Sequence, residues 1–266
     1  MQKSICARAV TLAALLMTIF TFNLEGQTTM KLNTSKGYKI RRAGERGFFD
    51  HGWLKTYHTF SFADYYDPQF MGYRTLRVIN EDTISPGHGF PTHGHKDMEI
   101  LTILLEGSLA HKDSMDHVEI IQAQEIQAMS AGAGVSHSEY NPSSKDETHL
   151  LQIWITPDRK GVSPRYQQVR LPNKENEWIL LASKGGEEES LRIHQDVKVY
   201  ALNLTPEIPA EKSLDPGRYG WIQVTEGSVD FRGEKLKQGD GVALDSGSSL
   251  ALISEGSAKI LFFDLN

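Results

Sequence analysis

The feature that most limits the fold is the spacing of the apolar runs. Leu76-Arg77-Val78-Ile79-Asn80, Met98 to Leu105, His117 to Ile121, Gln127 to Ser130 and Leu150 to Ile155 are all short, and Gly, Pro, Asn and Asp punctuate them. Runs of about four to eight residues bounded by turn formers read as strands. No long stretch carries apolar residues at the roughly 3.6-residue period of an amphipathic helix. From Lys31 onward the chain is therefore expected to be all-β, with antiparallel strands closing sandwiches or barrels.

The same text occurs twice. Turn formers crowd the stretch from Thr156 to Asn176, after which strand-like runs resume at Trp178 to Leu181, Val197 to Leu204, Trp221 to Val224, Val242 to Leu244 and Ile260 to Phe263. Leu105-Glu106-Gly107-Ser108-Leu109 is echoed 120 residues later by Thr225-Glu226-Gly227-Ser228-Val229. In each copy Gly follows an apolar strand, where it permits a tight hairpin. Gly132-Ala133-Gly134 has a counterpart in Ser246-Gly247-Ser248. The reading is a duplicated barrel: a first domain over 30–160, a linker over 161–175 and a second domain over 176–266. At the same offset His93 falls on Ser213 and His95 on Asp215, so the second copy lacks the histidines of the first.

Residues 1–29 are set aside as a leader. Lys3 and Arg8 precede an uncharged run of 14 residues from Ala9 to Phe22, and polar residues follow from Asn23. That order of charge, short apolar run and polar exit is the pattern of a secretory signal, and the run is too short to span a bilayer comfortably. Export to the periplasm or beyond is expected on this reading, a cytoplasmic protein if translation begins at Met30. The single cysteine, Cys6, lies inside the leader, which excludes a disulfide framework and a multi-thiolate zinc site. The net charge of −6 offers no basic surplus for a phosphate backbone, so no direct nucleic-acid partner is expected. Neither is a membrane span in the mature chain.

Histidine is unevenly distributed: of 10, all but His194 lie between residues 51 and 149. His93-Gly94-His95 sets two imidazoles at i and i+2, which share one face of a strand about 6.6 Å apart. His137-Ser138-Glu139 repeats the arrangement with a carboxylate, just after the Gly132-Ala133-Gly134 turn. Three imidazoles and a carboxylate from two neighbouring strands suit one divalent transition metal, whether Fe, Ni, Cu, Co, Mn or Zn, with coordination positions left open. Glu99 shares strand parity with His93 and His95 and is a second candidate carboxylate. Ser136-His137 lacks the strand–turn–helix elbow of a nucleophile, and His51 and His58 are expected to hydrogen-bond structurally. Of the aromatic residues crowding Phe48 to Tyr73, most are expected in the core and one or two along a pocket for a flat ligand.

Gly87, five residues, His93-Gly94-His95, three residues and Glu99 resemble the first cupin motif, although Gly107 closes it one position late. Gly132-Ala133-Gly134, His137 and Asn141 resemble the second, with Gly132 where proline is common. Arg41-Arg42-Ala43, Glu45-Arg46-Gly47, His51-Gly52-Trp53-Leu54, His58-Thr59-Phe60-Ser61-Phe62-Ala63, His95-Lys96-Asp97-Met98-Glu99, His137-Ser138-Glu139-Tyr140-Asn141 and Gln152-Ile153-Trp154-Ile155 are similar to phrases of the pirin family. The match is dense over about 38–170 and looser beyond. It implies a bicupin, two tandem cupin (double-stranded β-helix, jelly-roll) barrels, with metal only in the first. It also implies His93, His95, His137 and Glu139 as the ligands, and leaves Glu99 to orient a ligand imidazole.

Enzymatic members of the family resemble quercetin 2,3-dioxygenases, which open the flavonol ring with O2 and release carbon monoxide. On that resemblance Fe(II) is the first choice of cofactor, Glu139 the catalytic base, a flat flavonol-like molecule and O2 the small-molecule partners, and a monomer the expected state. The alternative is a non-enzymatic, metal-dependent redox sensor or regulatory binding protein, a role the same fold supports.

Overall fold

A computed structural model describes residues 36–266. The expected leader, 1–29, and Cys6 lie outside the described residues. Strands dominate the described chain, and helix is confined to two three-residue turns at Ala43–Glu45 and Glu187–Glu189. It begins with β1 (Tyr38–Arg41), β2 (Gly47–Asp50), β3 (Leu54–His58) and β4 (Leu76–Ile84). Then come β5 (Gly89–His95), β6 (Glu99–Glu106), β7 (Ser108–Asp113) and β8 (Val118–Gln122). The first half ends with β9 (Glu125–Ser130), β10 (Val135–Tyr140), β11 (Thr148–Ile155) and β12 (Arg165–Arg170). The second half holds β13 (Ile179–Ser183), β14 (Leu191–Arg192), β15 (Val197–Leu204), β16 (Ala210–Ser213) and β17 (Tyr219–Glu226). It closes with β18 (Ser228–Phe231), β19 (Glu234–Lys237), β20 (Gly241–Leu244), β21 (Ser249–Ile253) and β22 (Ala258–Leu265). No helix among the described residues is long and apolar enough to cross a membrane.

Each half sets a seven-stranded sheet against a four-stranded one, as expected of tandem cupin folds. The first pair is β12-β9-β6-β11-β4-β3-β2 over β5-β10-β7-β8, the second β1-β20-β17-β22-β15-β13-β14 over β16-β21-β18-β19. The echoed glycines turn equivalent corners rather than the expected hairpins: Gly107 joins β6 to β7 and Gly227 joins β17 to β18, and in each case the two strands lie in different sheets. Gly107 and Gly227 have φ of 78° and 72°, and a Cβ on either would run into a backbone carbonyl, of Glu147 or Ser257. Only Gly meets both conditions without strain.

The two seven-stranded sheets pack face to face. Leu101, Ile103, Ile126, Leu151 and Ile153 from one meet Val197, Val199, Trp221, Leu261 and Phe263 from the other in a single buried cluster. Trp221 is fully buried, its ring centroid 4.9 Å from that of Phe60. Each such side chain contributes about 1.5–3 kcal/mol on burial, so the halves stabilise each other.

Two segments depart from the sequence reading. The expected linker, 161–175, contains β12, paired residue for residue with β9 from Arg165↔Ser130 to Arg170↔Glu125. Its six residues are too polar to stand out between Gly- and Pro-rich neighbours. Near the start, β1 joins not the first-half sheet but β20, from Tyr38↔Leu244 to Arg41↔Gly241. Arg42 Nη1 then donates to Asp240 Oδ2 at 3.0 Å, and the Ala43 amide to Asp240 Oδ1 at 2.7 Å. Pairing across so long a separation leaves no local trace in the sequence.

Candidate metal centre

Strand β5 pairs with β10 so that His137 lies opposite His93 and Val135 opposite His95. Alternation does the rest, turning His93, His95 and His137 to the inner face. One ligand atom from each falls within 4.8 Å of the others, and the ring centroids stand 4.4 to 4.9 Å apart. Donors around one ion at bonds of about 2.0–2.1 Å sit roughly 3 Å from each other, so small ring rotations suffice.

The hydrogen bonds assign the free nitrogens. His93 Nδ1 donates to the Pro91 carbonyl at 2.9 Å, which leaves Nε2 unprotonated. Nε2 of His95 and Nε2 of His137 are buried and have no hydrogen-bond partner. Burial first, and then the neighbouring rings, push the pKa of His137 down to about 2 and that of His95 down to about 3. His93 is lowered as well, chiefly by burial. The rings are therefore neutral, the form that binds metal without first losing a proton. Three convergent imidazoles, one buried and two half-buried, with two orphaned nitrogens fit a divalent transition ion.

Glu139 is not part of that tight set of three. A bulge between His137 and Glu139 shifts its partner to Phe90, and the carboxylate is buried. Oε2 accepts a bond from Gln152 Nε2 at 3.1 Å, while Oε1 has no partner. Burial raises its pKa to about 7, with Asp82 adding to the rise and Gln152 opposing it. Asp82 is itself raised to about 6, mainly by burial.

Glu99 does not orient an imidazole. Its bond is with Ser130 Oγ, which donates to Oε2 at 2.7 Å, and the groups around it are the His194 backbone, Arg165 and Asp158. Strand parity fails because Asp97, at φ 50°, turns the chain between His95 and Glu99. His95 ends a strand of the four-stranded sheet and Glu99 begins one of the seven-stranded sheet.

The side chain that bonds one of the three imidazoles is His111, whose Nε2 stands 3.1 Å from His137 Nδ1. Burial lowers its pKa to about 4, so it is neutral and offers an acceptor. Its ring stacks on Tyr166 of β12 at 4.9 Å. The alternation in β7, with Leu109, His111 and Asp113 buried in turn, was the available signal. At the mouth, Trp154 packs edge-on against His95 at 4.9 Å and Phe62 against Trp154 at 5.3 Å. His58, expected to hydrogen-bond structurally, bonds to the Phe62 backbone, while its buried Nδ1 has no partner.

Residues 37–155 match the Pirin family model, and 180–265 match the quercetinase C-terminal cupin domain. A quercetin 2,3-dioxygenase of Escherichia coli K12 is 46% identical over 226 residues, covering 85% of this chain and 97% of that protein. A pirin-like protein of Caulobacter vibrioides is 34% identical, covering 82% of this chain and 95% of its own. The bacterial pirin YhhW of Escherichia coli, solved in complex with nickel(II), superposes with a TM-score of 0.83 at 45% identity, covering 86% of this chain and 98% of that one. With its imidazole cluster, its paired cupin sheets and these relatives, the chain belongs to the pirin family.

Proposed function

We propose that the protein is a metal-dependent dioxygenase of the quercetin 2,3-dioxygenase type, opening the central ring of a flavonol with O2 and releasing carbon monoxide. One observation carries this reading. The ligand atoms of His93, His95 and His137 converge, and Glu139, two residues beyond His137, keeps a buried carboxylate oxygen without a partner, in a chain 46% identical to a protein of that name. Fe(II) is our assignment for the ion, with nickel(II) the competitor that the YhhW complex suggests. Bound there, a divalent ion supplies a Lewis acid for a flavonol hydroxyl oxygen.

The rest is supplied by the chain. Glu139 is both the fourth ligand and the base. Burial disfavours its ionised form, so a carboxylate oxygen freed from the ion can take up a proton and return it. Gln152 pins Oε2 and leaves Oε1 for that exchange. His111 fixes the ring plane of His137. Trp154 and Phe62 present an apolar wall suited to a flat ring.

The test is incubation of the metal-loaded protein with quercetin and O2. Loss of the flavonol absorption band with release of carbon monoxide is expected; a fully metallated protein that consumes neither would overturn the proposal.

A further inference from the structure

The inner face of the first seven-stranded sheet carries a polar row at the level of the histidines. His58 lies opposite Asn80, Asn80 opposite Gln152, Gln152 opposite Thr102, and Thr102 opposite Gln127. Five neighbouring strands thus place a polar side chain at one height. The face points inward, since Gln152 reaches Glu139. Apolar layers close the row on both sides. Leu54, Ile84, Leu104 and Leu150 pack with Leu109 and Ile121 at one end. Ile100 and Met129 pack with Trp154 at the other.

Most of this row has nothing to bond to. Asn80 Oδ1, Thr102 Oγ1 and both Oε1 and Nε2 of Gln127 are buried without a partner, and Thr102 and Gln127 are 0% exposed. A buried polar group left unmet is costly, and folded chains leave few of them. The second half shows that the fold does not require such a row. Thr102 stands five residues before Gly107, and Ile222 five before Gly227. Reading across from Ile222, the register gives Phe262, Tyr200 and Val242 where the first half has Gln152, Asn80 and Gln127. These pack in an apolar cluster. Among the described residues, 176–266 contain no buried side-chain nitrogen or oxygen without a partner.

The unmet groups are an amide, a hydroxyl and a carbonyl oxygen, donors and acceptors without net charge. They match neutral hydroxyl and carbonyl groups rather than a phosphate or an ammonium. The row meets the metal centre at Gln152, which bonds Glu139 and is, like His93, His95 and Trp154, only half-buried. From this we infer that Asn80, Thr102 and Gln127 form a hydroxyl-reading subsite, which selects a polyhydroxylated planar aromatic over a sparsely hydroxylated one. The identity of that aromatic rests on the dioxygenase reading.

The experiment is an anaerobic fluorescence titration of nickel-loaded protein with quercetin and with 3-hydroxyflavone, which keeps the 3-hydroxyl of the central ring but lacks the hydroxyls of the two outer rings. Thr102→Val, Gln127→Met and the double variant are compared with the wild type, with metal content and melting curves confirming folded, loaded protein. The double variant should lose tenfold or more in quercetin affinity and less than twofold for 3-hydroxyflavone. Equal losses for both ligands overturn the subsite. No loss, or no quercetin binding by the wild type, also overturns it and leaves the row to buried water. Aerobic turnover of the same samples separates the two readings. Selective binding without turnover removes the dioxygenase and keeps the subsite; turnover without selectivity does the reverse.

Discussion

The two halves share one strand plan and differ in what fills it. In the first, the space between the sheets holds His93, His95, His137, Glu139 and His111 against a polar row with unmet hydrogen bonds. In the second, Leu202, Ile222, Val224, Phe231, Val242, Ile260 and Phe262 pack the same space with carbon. The difference teaches a division of labour. Apolar packing gives the second half stability that the first gives up to keep its polar interior, and the face-to-face contact of the large sheets shares that stability between them.

The largest expected effect breaks the first half's chemistry without touching the second. His137→Ala removes one of three convergent imidazoles and the partner of His111. Bound metal should fall by more than about a hundredfold and turnover should vanish, since the loss of a ligand exceeds the roughly 10–100-fold cost of losing an outer partner. Metal content by elemental analysis checks this; a variant that retains full metal would remove His137 from the centre.

The converse substitution is Phe262→Gln, which puts a polar side chain of the first half's kind into the second. Phe262 is 0% exposed and central to its cluster. Truncating a buried Phe costs about 3–5 kcal/mol, and an amide without partners cannot recover it. The denaturation midpoint should drop accordingly, while metal content under folding conditions stays at the wild-type level. A loss below about 1 kcal/mol would deny the second half its stabilising role.

How much of this was legible follows from where the information lies. The turn-bounded runs, the echoed Gly107 and Gly227, and the imidazole pairs are local, and they led to the right fold and to the strands on which three imidazoles converge. Glu99 was misplaced because β6, Glu99-Ile100-Leu101-Thr102-Ile103-Leu104-Leu105-Glu106, is buried on both faces over most of its length. An apolar run of that kind hides which residues face the metal and which face the other half. β12 and the exchange of β1 into the second sheet depend on partners far along the chain. The polar row is legible only once register is known, because its members come from five separate strands.

Glu99 sharpens the comparison at the seam between the halves. Burial raises its pKa from 4.5 to about 7, against the Ser130 bond. The folded state therefore favours the protonated form. The stability this contributes is complete below about pH 4.5 and is lost as pH rises through about 7. Glu99→Gln mimics the neutral carboxyl throughout. The variant should match the wild type at pH 4 and exceed it by up to about 3 kcal/mol at pH 8. Thermal melts at the two values decide it: a constant difference would mean that Glu99 does not titrate in this range.

The smallest effect separates the residue expected to orient a ligand from the one that does. If metal takes Nε2 of His137, the proton sits on Nδ1, and the neutral His111 Nε2 at 3.1 Å is its acceptor. Removing that acceptor leaves a buried N–H unpaired and the ring free to turn, at a cost of about 10–100-fold in metal affinity. His111→Ala should show this loss by competition with a chelator. His111→Gln, which can return an acceptor oxygen, should recover part of it, and Glu99→Gln should stay within about twofold of the wild type. Equal affinities in the Ala and Gln variants would reduce His111 to a packing role. A loss in Glu99→Gln would restore the expectation drawn from strand parity. The second half offers no equivalent test, because β18, the counterpart of β7, carries Ser228-Val229-Asp230-Phe231 and no imidazole.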